Sequence, residues 1–148
     1  MAYSCLFCYH DEMKRKDIFM MVSNCFLAIP IVFSFIYGEW LYLFFAVGAL
    51  TFSYLYHWFK IRDRETILFP LLRFFDWSFA AAAFFYMFYF SYHFLSGSLQ
   101  LFIYLSLIGV IFFFLYGWQY SDYKKLHPYF HIVAGFISGL ILIFSRLS

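Results

Sequence analysis

Five long apolar stretches constrain the fold of this chain more than any other feature. They cover residues 18–37, 41–59, 71–94, 99–118 and 128–144. Each is near the roughly 20 residues that a helix needs to cross the hydrocarbon core of a bilayer. The breaks between them are short and carry glycine, serine or charged residues, which are typical of turns. The pattern predicts an all-α, polytopic transmembrane helix bundle over residues 18–145 with about five spans, preceded by a tail at residues 1–17.

The composition agrees with lipid as the solvent. Hydrophobic residues make up 66% of the 148 residues and charged residues 12%, whereas soluble domains have about 45–50% and about 25%. Twenty-five Phe and 14 Tyr cannot be hidden inside one small globule, which excludes a soluble monomer. Runs such as residues 84–90 do not alternate as barrel strands do. The net charge of +2 is clustered and gives no basis for a nucleic-acid partner.

The basic residues predict an orientation. If five helices alternate in direction, nine of the ten Lys and Arg residues fall on one side of the membrane and only Arg146 on the other. The nine are Lys14, Arg15, Lys16, Lys60, Arg62, Arg64, Arg73, Lys124 and Lys125. The positive-inside rule then predicts a cytoplasmic N-terminus and an external or lumenal C-terminus. Endoplasmic reticulum, Golgi and plasma membrane all fit this multi-pass topology.

Ionisable side chains at membrane depth are costly, so each is a functional candidate. Ser53 and His57 are four residues apart and share a face of the second helix, as His127 and His131 share a face of the fifth. Asp76 lies near the start of the third helix. Because neighbouring helices alternate in direction, we expect all five residues in one layer near the cytoplasmic side.

Three imidazoles and a carboxylate at one depth suit a zinc site. Three histidines leave the fourth position on Zn²⁺ open to water, as catalytic sites do, and the metal lowers the pKa of that water toward about 7. We expect His57, His127 and His131 to be the ligands. Asp76 would orient the water and take its proton, and Ser53 would donate a hydrogen bond to a developing oxyanion.

Simpler interpretations exist for several polar residues. Asp76 is three residues after Arg73, and in the simpler interpretation the two side chains form an ion pair on one helix face. His93 lies 17 residues beyond Asp76, about 25 Å along a helix, and is interpreted as interfacial. In the tail, Cys5 and Cys8 with His10 form a weak metal-binding pattern, and a reduced cytoplasmic tail is the alternative. Three cysteines exclude a fully paired disulfide framework.

The order Ser-x-x-x-His, Asp, His-x-x-x-His resembles the CREST superfamily of membrane hydrolases. This group includes the alkaline ceramidases, the progestin and adiponectin receptors, lipid hydrolases that remodel GPI anchors, and myomaker-like proteins. The matching segments are FSYLYHWF, RFFDWS and HPYFHIVAG, which contain Ser53, His57, Asp76, His127 and His131. The resemblance implies zinc held by the three histidines, with Asp76 and Ser53 beside it. It also implies hydrolysis of a lipid amide or ester, with ceramide as the best-known substrate.

The chain departs from that pattern in two ways. Family members usually have seven spans, whereas one helix separates the Asp helix from the last helix in this chain. Losing two helices keeps the parity, so the site residues still meet on one side, but a smaller bundle predicts a more open cavity or a second copy of the chain as a partner. An acidic calcium-binding segment before the first helix is not evident.

Three other functions compete with a zinc-dependent intramembrane hydrolase of a ceramide-like lipid. The first is a non-enzymatic, receptor-like or myomaker-like protein that keeps the zinc for structure. The second is a haem-binding electron carrier with His57 and one histidine of the last helix as axial ligands. The third is an ion or proton channel, for which one acidic residue is thin evidence of a pathway.

Overall fold

The chain is all-α. The computed structural model describes residues 18–61, 67–119 and 123–147, which form five helices and contain no strand. The helices are α1 (Ile18–Tyr37), α2 (Trp40–Ile61), α3 (Leu68–Phe94), α4 (Gly97–Gln119) and α5 (Tyr123–Phe144). The predicted motif of Cys5, Cys8 and His10 lies outside the described residues.

Four of the five described helices extend beyond the apolar stretches that predicted them, and α1 matches its stretch. The helix α5 begins at Tyr123 rather than at residue 128, so Pro128 lies inside it. The stretch marks where lipid contacts the chain, but the backbone hydrogen bonds of a helix continue through polar residues that face the headgroups. The apolar limits therefore underestimate the helices by a few residues at their polar ends.

Four of the described helices are long and apolar enough to cross a membrane. They are α1, α3, α4 over Gly97–Tyr116, and α5 over Leu126–Phe144. The helix α2 has 22 residues, as many as α5, but its several tyrosines, Ser53 and His57 make it more polar. It packs between α1 and α3. The protein is thus a membrane protein with four candidate spans, and a crossing by α2 remains a prediction.

Aromatic pairs show how α2 and α3 pack. The ring of Phe52 stacks on that of Phe75 with centroids 4.9 Å apart, near the polar end of both helices. The rings of Tyr42 and Tyr86 meet at 5.7 Å near the other end. Because the partners follow opposite orders along the two helices, α2 and α3 are antiparallel.

The first and last helices run parallel and close the bundle. Phe19 contacts Tyr129 at 5.8 Å between ring centroids, and further along Phe26 contacts Phe136 at 5.7 Å. At the far end Arg146 binds Glu39, just after α1, at 2.7 Å. Together with the antiparallel neighbours, this arranges the helices as a ring in chain order, with α5 against α1.

The helix α1 tightens into a 3-10 turn at Asn24–Leu27. Pro30 has no N–H to donate to the Phe26 carbonyl, so the regular α-helical bond is missing at this point. On α5, Gly135 faces the same carbonyl, which a Cβ would strike. The turn and the close approach place Ser23 and Asn24 inside the bundle, where each is 1% exposed.

The interior has an apolar half and a polar half. The apolar half lies toward the Glu39–Arg146 end, and its buried residues include Tyr42, Met87, Phe90, Ile103, Leu107, Ile141 and Leu142. Most of the buried polar side chains lie toward the other end, and they are Ser23, Asn24, Ser53, His57, Asp76, His127 and His131. This polar cluster is contributed by α1, α2, α3 and α5.

Candidate metal centre

Three buried histidines meet at the polar end of the bundle. His57 near the end of α2 lies against His127 and His131 of α5, with ring centroids 5.7 and 6.2 Å apart. The rings of His127 and His131 are 4.4 Å apart because they lie one turn apart on one helix face. One ring nitrogen of each residue lies within 4.8 Å of those of the other two.

The three rings fit a metal ion such as zinc. Both ring nitrogens of His57 are buried without a hydrogen-bond partner among the described residues, which is costly for polar atoms. A metal ion that takes one lone pair removes part of that cost. In a tetrahedral site with Zn–N of about 2.0–2.1 Å the nitrogens are about 3.4 Å apart, whereas here they lie within 4.8 Å of one another, so binding of the ion would draw the rings closer together.

Asp76 and Ser53 lie beside the histidines. Asp76 is 8% exposed, and its carboxyl group contacts the Ser53 hydroxyl. The same hydroxyl donates a hydrogen bond to Asn24 Oδ1 at 3.2 Å. Both Asp76 and Ser53 line the same cavity as His127 and His131, so the structure brings all five residues predicted from the sequence to one place.

Asn24 determines what the Ser53 hydroxyl does. In the structure the amide oxygen of Asn24 accepts a hydrogen bond from Ser53, and its buried Nδ2 has no hydrogen-bond partner within the part of the chain that the structure describes. Rotation of the amide by half a turn would let Nδ2 donate to Ser53, which would then be free to donate to Asp76. Only the rotated arrangement uses both the Asn24 Nδ2 donor and the Ser53 hydroxyl proton, and in either arrangement Asn24 bonds Ser53, so Asn24 belongs to the site.

Two alternatives raised by the sequence occupy other positions. His93 is exposed at the opposite end of α3, 4.4 Å from the Tyr89 ring, as expected of an interfacial residue. The guanidinium of Arg73 lies 5.2 Å above the ring of Trp77, outside the buried cluster.

An apolar cavity of about 400 Å³ extends from the polar cluster into the bundle. Its polar end is formed by Ser53, Asp76, His127 and His131, and its walls by residues of all five helices. Seven residues separate Ser53 from Ala46, Asp76 from Ala83, and His131 from Ser138 at the far end, which is about 10.5 Å along each helix.

The cavity opens sideways between α3 and α4. These two neighbours make fewer contacts than the other adjacent pairs in the ring. At this seam Trp77, Phe85 and Ile111 line the cavity and are also exposed on the outer surface, with Phe85 70% exposed. The cavity is therefore reached from the outer surface of the bundle through this seam.

Sequence reasoning missed Ser23 and Asn24. The Ser23 hydroxyl donates to the Met20 carbonyl at 2.7 Å and lies 3.1 Å from His131 Nδ1. The signal was present, since Ser and Asn adjoin each other inside the first apolar stretch. They escape a search for ionisable groups because neither side chain carries a charge.

Comparison of the chain with models of protein families, with curated proteins and with solved structures gives no match. The resemblance to the CREST superfamily therefore depends on the five residues and their order. The geometry of the buried cluster and its cavity is an independent argument about function.

Proposed function

We propose that the protein is a zinc-dependent hydrolase that cleaves a ceramide-like lipid amide within the membrane. The observation that carries the proposal is a cluster of three histidines, two of which, His127 and His131, line the polar end of an apolar cavity. A purely structural metal site needs neither a carboxylate that lines a cavity nor a lateral opening. Both features are useful to an enzyme whose substrate arrives through lipid.

The cavity suits one acyl chain of the substrate. Its walls are almost entirely apolar, and three alanines of α3, which are Ala80, Ala81 and Ala83, take up little space on that side of the cavity. An acyl chain that enters between α3 and α4 would place its carbonyl group at the polar end. The rest of the lipid would remain at the membrane surface, where the headgroup is hydrated.

The proposed reaction is hydrolysis of the amide bond by water. A zinc ion held by His57, His127 and His131 would polarise the carbonyl group and acidify a water molecule. Asp76 accepts a proton from the attacking water and passes it to the leaving nitrogen. A bond forms between the water oxygen and the carbonyl carbon, the C–N bond breaks, and the products are a fatty acid and an amine.

Zinc content and turnover measured on the same preparations test this function. We expect about one zinc per chain in wild type by elemental mass spectrometry, and release of fatty acid from at least one member of a panel of ceramides and phospholipids. His131→Ala should lose both zinc and turnover. His93→Ala removes an exposed imidazole at the other end of α3 and should keep both.

The other functions predict different results. Zinc without turnover on any lipid of the panel would reject the enzyme and favour the receptor-like protein. A Soret band without zinc would favour the haem protein. A wild-type chain that binds no metal under any loading condition would reject the centre itself.

A further inference from the structure

We infer that Ser23 is a positioning residue for the metal centre. Its hydroxyl group holds His131 in the tautomer that presents Nε2 to the metal. This inference deepens the proposed function and depends on its three-histidine centre. It rests on the hydrogen bonds of one buried hydroxyl group. Ser23 is 1% exposed, and it lies on α1, which contributes no histidine to the cluster.

The direction of the hydrogen bonds fixes the tautomer. A serine hydroxyl has one proton, and Ser23 donates it to the Met20 carbonyl at 2.7 Å. Its oxygen therefore accepts in the 3.1 Å contact with His131 Nδ1, which must carry the proton. The lone pair of His131 is then on Nε2, and this nitrogen is left for the metal.

The fold around Ser23 keeps this contact in place. The 3-10 turn at Asn24–Leu27 begins at the next residue, and Gly135, one turn after His131, lets α5 approach the Phe26 carbonyl. Hydrogen bonds of this kind to a ligand histidine typically change metal affinity by 10–100-fold. Ser23 is thus expected to affect the metal without touching it.

The test is zinc affinity, measured by competition with a chelator in detergent, for Ser23→Ala, Ser23→Thr and Ser34→Ala. We expect about 10–100-fold weaker zinc binding in Ser23→Ala and near wild-type affinity in Ser23→Thr, which keeps the hydroxyl. Ser34 is the matched control, because it is equally buried on α1 and donates to the Pro30 carbonyl at 2.6 Å. Ser34→Ala should leave zinc affinity unchanged, whatever it does to the thermal midpoint of the metal-free protein.

The ¹⁵N NMR signals of labelled histidine report which ring nitrogen carries the proton. A purely structural role of Ser23 would not determine this. In zinc-loaded wild type, the signal that disappears in His131→Ala should show its proton on Nδ1 and the metal on Nε2. Wild-type zinc affinity in Ser23→Ala, or zinc bound through His131 Nδ1, would overturn the inference and leave the proposed function standing. A wild-type chain that binds no zinc would overturn both.

Discussion

Asp76 is the buried acid of the site, and its role can be separated from that of the histidines. Asp76→Asn keeps the size and shape of the side chain but removes its ability to accept a proton. We expect zinc to remain bound, since three imidazoles hold it, and hydrolysis to fall by about 10²–10⁴-fold. Zinc content and fatty-acid release from the same sample measure the two effects, and loss of zinc would instead make Asp76 a metal ligand.

At this scale the sequence predicts where the ionisable residues lie, whereas it singles out only Ser53 among the neutral residues of the buried cluster. The four-residue spacing on α5 and the depth of His57 at the end of α2 were enough to predict that the three histidines lie together. Their roles remain predictions. Ser23 and Asn24 could not be ranked in advance, because buried hydroxyl and amide groups are common in membrane helices and only the contacts at 3.1 and 3.2 Å distinguish them.

The alanine run of α3 shapes the cavity, and it provides a test of the acyl-chain assignment. Ala83 lines the far end of the cavity, whereas its neighbour Ala82 does not. Ala83→Ile should shorten the space, so that turnover of long-chain relative to short-chain ceramides falls by about 10-fold or more. The profile over a series of acyl lengths measures the effect. Ala82→Ile is the control, and an equal shift in both variants would place the chain elsewhere.

The contact between α1 and α5 depends on Gly135, where a Cβ would collide with the Phe26 carbonyl. A backbone group cannot move aside as a flexible side chain can, so Gly135→Ala should lower the free energy of unfolding by about 1–3 kcal/mol and weaken zinc binding by pushing Ser23 away from His131. Thermal unfolding in detergent and chelator competition check both effects. Gly109 has open space around it, so Gly109→Ala should be neutral or slightly stabilising, and a similar loss in both variants would contradict the steric argument.

For the whole molecule, the all-α class follows from the length of the apolar stretches and their lack of alternation. The order of the helices around the ring does not follow from the apolar stretches. A lipid-facing helix is mostly apolar on all sides, so its sequence carries little information about its neighbours. The closing contact of α1 with α5 depends on Gly135, Pro30 and the ion pair of Arg146 with Glu39, which are meaningful only once the partners are known. The lateral opening between α3 and α4 is likewise a property of the assembled bundle.

The position of the two termini tests the complete topology. The helices α1 and α5 are parallel, and Arg146 binds Glu39 at the end opposite the histidines. This packing agrees with an odd number of crossings, which places the termini on opposite sides of the membrane. Nine of ten basic residues then lie on the side of the N-terminus, which we expect to be cytoplasmic. Epitope tags at either end, probed with protease in sealed vesicles before and after detergent, measure this directly. If both tags are protected, or both are cleaved, before detergent is added, the number of crossings is even and α2 does not cross the membrane. His57 of α2 and the two histidines of α5 would then not form one layer at the same membrane surface.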